Sequence, residues 1–200
     1  MKLVLVPCGL SSWLELGRLL GRLDLPADPD AARLAAWASR LRSAGVARIL
    51  HSPDGLARGV SKALAAALGV PTRAVAALAA VDMGLWTGLT ADQIRTRFAT
   101  AHRQLLEAPL SVTPPGGEAL SAAAERIGAA VQRIVRRSSR ENVALVLRPL
   151  ALALARCALE PGNEARIWED AWLDQPLLIN VDTPSAMATA APPAERRAGS

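Results

Sequence analysis

The chain begins "MKLVLVPCGL" (residues 1–10), and the reading of this stretch decides the fold. Residues 1–6 are short, partly β-branched and apolar without alternation. That is the pattern of a strand covered on both faces, as in a parallel sheet packed between helices. The run stops at Pro7, Cys8 and Gly9, where a buried strand hands over to a loop. In an open parallel sheet ligands bind where loops leave the carboxyl ends of the strands, so this handover is the first place to look for a site.

Working outward, the pattern alternates between strand and helix. Leu34, Ala35, Trp37, Ala38 and Leu41 recur at helical spacing within residues 28–44, and Gly45 supplies a stop. "VARIL" (46–50) reads as a second strand, and "SPDG" (52–55) turns it into a helix over 56–68. "AVAAL" (74–78) reads as a third strand. Thr90 with Gln93 forms a capping-box signature for a helix running to residue 107. "TPPGGE" (113–118) is a rigid loop, followed by a long helix over 119–137 and a buried strand "VALVL" at 143–147. A helix over 150–159 and an edge strand "PLLIN" (176–180), with Pro at its start, complete the pattern. This rhythm predicts an α/β fold in one domain over residues 1–182, with a disordered Ala-, Pro-, Thr- and Ser-rich tail at 183–200.

Composition narrows the function classes. The chain has 200 residues and 51% hydrophobic content, yet no apolar run approaches the ~18 residues that a membrane span needs. With no secretory leader pattern at the start, a soluble cytoplasmic protein is expected, without membrane association. Cys8 and Cys157 are the two cysteines, far apart and without metal-ligand spacing, so neither a disulfide framework nor a metal site is expected. The net charge of +5 is carried almost wholly by arginine, since Lys2 and Lys62 are the only lysines. Aromatic side chains are scarce and the arginines are spread along the sequence, which argues against a nucleic-acid partner.

Several short motifs, taken in order, resemble the histidine phosphatase superfamily, which includes the cofactor-dependent phosphoglycerate mutases. "KLVLV" followed two residues later by Gly9 resembles its first strand and signature loop. Gly17, Arg18, Gly21, Asp24 and Pro26 fit a Gly-Arg-x-x-Gly-x-x-Asp-x-Pro pattern. "SPDGLARGVSKALAAALG" (52–69) resembles the family's Ser-Pro helix start, and "DMGLWTGLT" (82–90) its loop with Trp86. "PPGGEAL" (114–120), with Glu118, and "VALVLRPLALALA" (143–155) resemble its Pro-x-Gly-Glu segment and its last core strand with the following helix. The resemblance implies a three-layer α/β sandwich of phosphoglycerate mutase type, a mostly parallel sheet with helices on both faces, and no cofactor.

The positions that carry the family's chemistry differ. The resemblance places Pro7 where a phosphate-clamping arginine stands and Cys8 where the nucleophilic histidine stands. Leu56 takes the place of a second clamping arginine, Ala80 that of the general acid, and Arg148 that of the second histidine. Phosphoryl transfer asks for a nucleophile, a proton donor to the leaving oxygen and fixed positive charge around the equatorial oxygens. The expected function is therefore a non-catalytic member that binds a protein partner or a small phosphorylated or other anionic ligand. The alternative is a divergent phosphomonoesterase or mutase with an altered site around Cys8 and Arg148.

Individual residues carry two readings each. Cys8 is either a thiol nucleophile or a small buried hydrophobe, and Cys157 is read as the latter. Arg18, Arg58 and Arg148 are candidate anion-binding residues, against surface arginines lying along apolar neighbours. His51 is read as a strand-end residue hydrogen-bonded to backbone, Asp82 as a polar loop residue and Trp86 as packing. Trp168 and Trp172, at i and i+4, are expected on one helix face, serving the core, a partner or a homo-oligomer.

Overall fold

The computed structural model describes residues 1–8, 12–24, 30–138 and 140–181. The predicted tail at 183–200, together with Gly9 and Pro26, lies outside them. Five strands form one sheet: β1 (Lys2–Pro7), β2 (Val46–His51), β3 (Thr72–Ala74), β4 (Asn142–Leu147) and β5 (Leu177–Asn180). Their order is β3-β2-β4-β1-β5. All neighbouring pairs are parallel except β1 with β5, which is the predicted edge strand.

Helices α1 (Ser12–Glu15), α2 (Ala31–Ser43), α3 (Gly55–Leu68), α4 (Ala91–Arg97), α5 (Ala99–Glu107), α6 (Leu120–Arg137), α7 (Pro149–Leu159) and α8 (Ile167–Asp170) fill the connections. The alternation of strand side chains divides the core into two layers. Leu3, Leu5, Val143 and Leu145 pack with α6 and α7 on one face. Val4, Val6, Ala144 and Val146 pack with Trp37 and Leu41 of α2 and Leu56, Val60 and Leu64 of α3 on the other. On α6, Leu120, Ala123, Ile127, Ala130, Val131 and Ile134 are buried at helical spacing, which ties that helix to the sheet by one apolar stripe.

Four sequence expectations are corrected. Pro7 is the last residue of β1, paired with Leu147, and not the first of a loop. Amides alternate in direction along a strand, and Cys8 N–H donates to Leu147 O at 3.0 Å, towards β4. The nitrogen of Pro7 therefore faces the β5 side, where pairing ends at Leu5 with Leu177, so no ladder bond is lost. The third strand is Thr72–Ala74, whereas Ala76–Leu78 is a single 3₁₀ turn. Register with β2 sets this: Ile49 pairs with Thr72 and His51 with Ala74, and the pairing stops where β2 stops.

The helix beginning at Thr90 has the predicted capping box with Gln93 but breaks at Phe98, whose backbone leaves the helical region (φ −135°, ψ 51°). Phe98 packs its ring against buried Trp86, 5.9 Å between centroids, and the chain restarts as α5. Trp168 and Trp172 do not share a helix face, because α8 ends at Asp170. Both instead border a small apolar groove of about 130 Å³ with Leu19, Ile94, His102 and Leu105. Among the described residues no helix is long and apolar enough to cross a membrane.

Candidate functional site at the carboxyl ends of the central strands

The handover after β1 meets the ends of β2 and β4 and the starts of α3 and α7. Cys8 continues the alternation of β1 and is fully buried in the same apolar cluster as Val6, Leu56, Ala57 and Trp37. Leu56, two residues into α3, is fully buried as well. Burial is the main cause that pushes the Cys8 thiol far above its ordinary value. The nearby Asp54 carboxylate adds to it, and Arg148 opposes it only in part. A thiol so placed stays protonated at neutral pH.

Arg148 closes the site. It precedes Pro149, the first residue of α7, in extended backbone, and its side chain is buried. The guanidinium donates to Gly21 O at 3.2 Å and Leu23 O at 2.8 Å, and lies 3.5 Å from the Asp54 carboxylate. Asp54 in turn caps α3 by accepting from Ala57 N–H at 3.0 Å. Beside Arg148 remains a cavity of about 30 Å³, walled by Leu19, Leu20, Ala80, Val81 and Leu150. That is room for roughly two waters and too little for a phosphoryl group.

The three candidate anion-binding arginines are each engaged with the protein's own backbone. Arg18 donates to Gly88 O at 2.7 Å and lies over the Trp13 ring, 6.0 Å from its centroid. Arg58 donates to Pro53 O at 2.8 Å from an exposed position. Of the three, Arg148 alone reaches the pocket of the strand ends.

A second charged cluster, which the sequence reading placed only in part, joins Arg22, Asp82, Glu118 and Arg126. Glu118 accepts from Arg126 through both oxygens, at 3.0 and 2.8 Å, and from Arg22 at 3.5 Å. Asp82 faces Arg22 at 3.5 Å and accepts from Gly84 N–H at 3.0 Å, so it serves the loop as a polar brace. Gly84 permits this loop to close on the next one. Its φ is +47°, and a Cβ there would stand 2.2 Å from Pro115 O. Trp86 is fully buried, as expected of packing. His51 is buried, and its Nδ1–H donates to Ser52 O at 2.6 Å, the backbone-bonded role expected of it.

Sequence reasoning missed Asp54, Arg22 and Arg126. None had a local signal: Asp54 stands 94 residues from Arg148, and Arg22 stands 96 residues from Glu118. Among the described residues no group of three or more His, Cys, Asp or Glu could hold a metal ion.

The buried thiols make a pH prediction. Cys8 and Cys157 both have thiols raised above the ordinary 9.0 in the folded chain, Cys157 to about 11, with burial as the main cause in each. Above the unfolded value the unfolded chain releases protons that the folded chain keeps, so these groups make stability fall as pH rises past about 9. For fully buried Cys8 the slope is about 1.4 kcal/mol per pH unit. Denaturant melts at pH 8 and pH 10.5 should show a smaller loss for Cys8→Ala than for the wild type. Equal losses would refute the assignment.

A mostly parallel five-stranded sheet between two helical layers, with its helix-starting loops gathered at the carboxyl ends of β1, β2 and β4, defines a three-layer α/β sandwich of phosphoglycerate mutase type. The family described as "Histidine phosphatase superfamily (branch 1)" matches residues 3–180, and the chain belongs to it. Phosphoserine phosphatase 1 of Hydrogenobacter thermophilus is 23% identical over 173 residues, covering 84% of this chain and 80% of that protein. Bifunctional protein Rv2228c of Mycobacterium tuberculosis is 31% identical over 124 residues, 61% of this chain and 34% of that protein, so the match spans about a third of that longer relative. The solved structure of Bacillus stearothermophilus YhfR aligns with a TM-score of 0.74 at 26% identity, over 90% of this chain and 91% of that one.

Proposed function

We propose that this chain is a pseudophosphatase, a member of the superfamily that keeps the scaffold and binds, without turning over phosphomonoesters. The observation that carries this reading is Arg148: at the place of the family's second histidine stands a buried guanidinium committed to Asp54 and two backbone carbonyls. An anion cradle has become an internal ion pair. The other replacements support the same reading. Cys8 is a buried, protonated thiol, Leu56 is core, and Ala80 has no proton to give. With nucleophile, acid and clamp all absent, the in-line transfer to an enzyme group has no participant.

The expected result is no hydrolysis of p-nitrophenyl phosphate above a blank between pH 4 and 10, and no phosphoenzyme on brief exposure to a labelled phosphomonoester. The relatives named as phosphatases favour a second reading, a divergent phosphomonoesterase working through Cys8. Turnover in rigorously pure protein that disappears in Cys8→Ala would establish that reading in place of ours.

A further inference from the structure

The arginines that look scattered in the sequence gather in space. A cleft of about 530 Å³ runs along β3 on the α6 side of the sheet, and Arg48, Arg73, Arg133 and Arg137 line it. It continues into a second hollow of about 260 Å³ between Arg48, Arg137 and Arg140. The arginine-rich end lies where β2 and β4 begin, at the opposite end of the sheet from Cys8 and Arg148. Five arginines line the two hollows together, with one carboxylate, Glu141, which already pairs with Arg48 at 3.4 Å.

Fold stability does not account for this arrangement. Arg133 and Arg137 stand at i and i+4 on α6, a like-charge spacing that destabilises a helix. Arg73, Arg133, Arg137 and Arg140 are exposed and have no carboxylate partner among the described residues. Arg48, by contrast, is held in place by Ser138 Oγ and Glu141, so one guanidinium is fixed in the wall. Between the charges the lining is aliphatic, with Leu50, Val75, Ala77 and Ile134, and it contains no aromatic ring on which a base could stack.

We infer that this cleft is a binding site for a small ligand that carries two or more phosphoryl charges on an aliphatic body. Its volume is that of a small-molecule site, and its walls bring arginines from the sheet and from α6 to opposite sides of one anion. Planar guanidiniums match the oxygens of carboxylate and phosphate alike in pairs, and several of them around one cleft favour a ligand with several anionic charges over a single carboxylate. The inference stands apart from the catalytic reading: it holds whether or not the strand-end pocket turns anything over.

Inorganic pyrophosphate is the probe, titrated into the full chain at low salt by calorimetry and by amide chemical shifts. Saturable binding is expected, with shifts at Thr72, Val75, Ala130 and Ser138. Arg133→Glu with Arg137→Glu should weaken it by at least about tenfold, which is about 1.4 kcal/mol. The charge-matched pair Arg97→Glu with Arg103→Glu, exposed on α4 and α5, should leave it unchanged. Circular dichroism melts of both pairs check folding, and Arg73→Ser supplies an independent lesion in the sheet wall. Absence of binding, equal loss in both pairs, or shifts confined to Cys8, Ser52 and Gly55 would each overturn the inference. So would failure of saturating pyrophosphate to displace an acidic peptide or a DNA oligonucleotide bound to the same face.

Discussion

Arg148→Met is expected to lower the free energy of unfolding by about 3–5 kcal/mol, the loss that follows when one partner of a buried ion pair is removed and the other stays charged. Arg148 is 3% exposed and Asp54 13%, so water can do little to compensate the orphaned carboxylate. The carbonyls of Gly21 and Leu23 lose their donor in the same step. For a chain of this size each kcal/mol moves the melting temperature by about 2–4 °C, so a fall of roughly 6–20 °C should be seen. Asp54→Asn added to Arg148→Met should restore a large part of the loss, because asparagine keeps the cap on Ala57 N–H and removes the stranded charge. Strictly additive effects in this double-mutant cycle would show that the two side chains do not act as a pair.

The contrast between what the sequence shows and what it hides follows from range. β1 and β4 are legible because a strand covered on both faces must be apolar at every position, and their burial from Leu3 to Pro7 and from Val143 to Leu147 is the cause of that pattern. β3 is not legible, because three edge residues, one half-buried and two exposed, carry no period, and only their register with Ile49 and His51 makes them a strand. At the break at Phe98 the tie is likewise outside the segment, since its ring packs on that of Trp86.

The same division runs through the two sites. Pro7, Cys8, Leu56, Ala80 and Arg148 are picked out in the sequence by their offsets from the scaffold motifs. The contacts each makes in space are not. Arg148 reaches Asp54 across 94 residues and Gly21 across 127, and nothing local announces either partner. The basic cleft is the reverse case. Its arginines are evenly spread in sequence, and only the packing of α6 against the β2 and β3 edge brings them together.

Restoring the family's side chains should therefore not restore a phosphatase. The variant Pro7→Arg, Cys8→His, Leu56→Arg, Ala80→Glu, Arg148→His puts every expected group back, yet the space those groups need is occupied. Leu56 and Cys8 are fully buried in one cluster with Trp37, Val60 and Leu64. Bulk forced into a packed core costs about 1–3 kcal/mol, and an unpaired buried charge adds several more. Against a total stability of about 5–15 kcal/mol, the restored chain should be unfolded or aggregated at 37 °C, with no hydrolysis of p-nitrophenyl phosphate. Leu56→Arg alone should already behave this way. A soluble five-residue variant with normal melting and phosphatase activity would show that the site lost its reactive groups and nothing else. An inactive, unstable one would support the reading that the packing around these positions leaves no room for the family's groups.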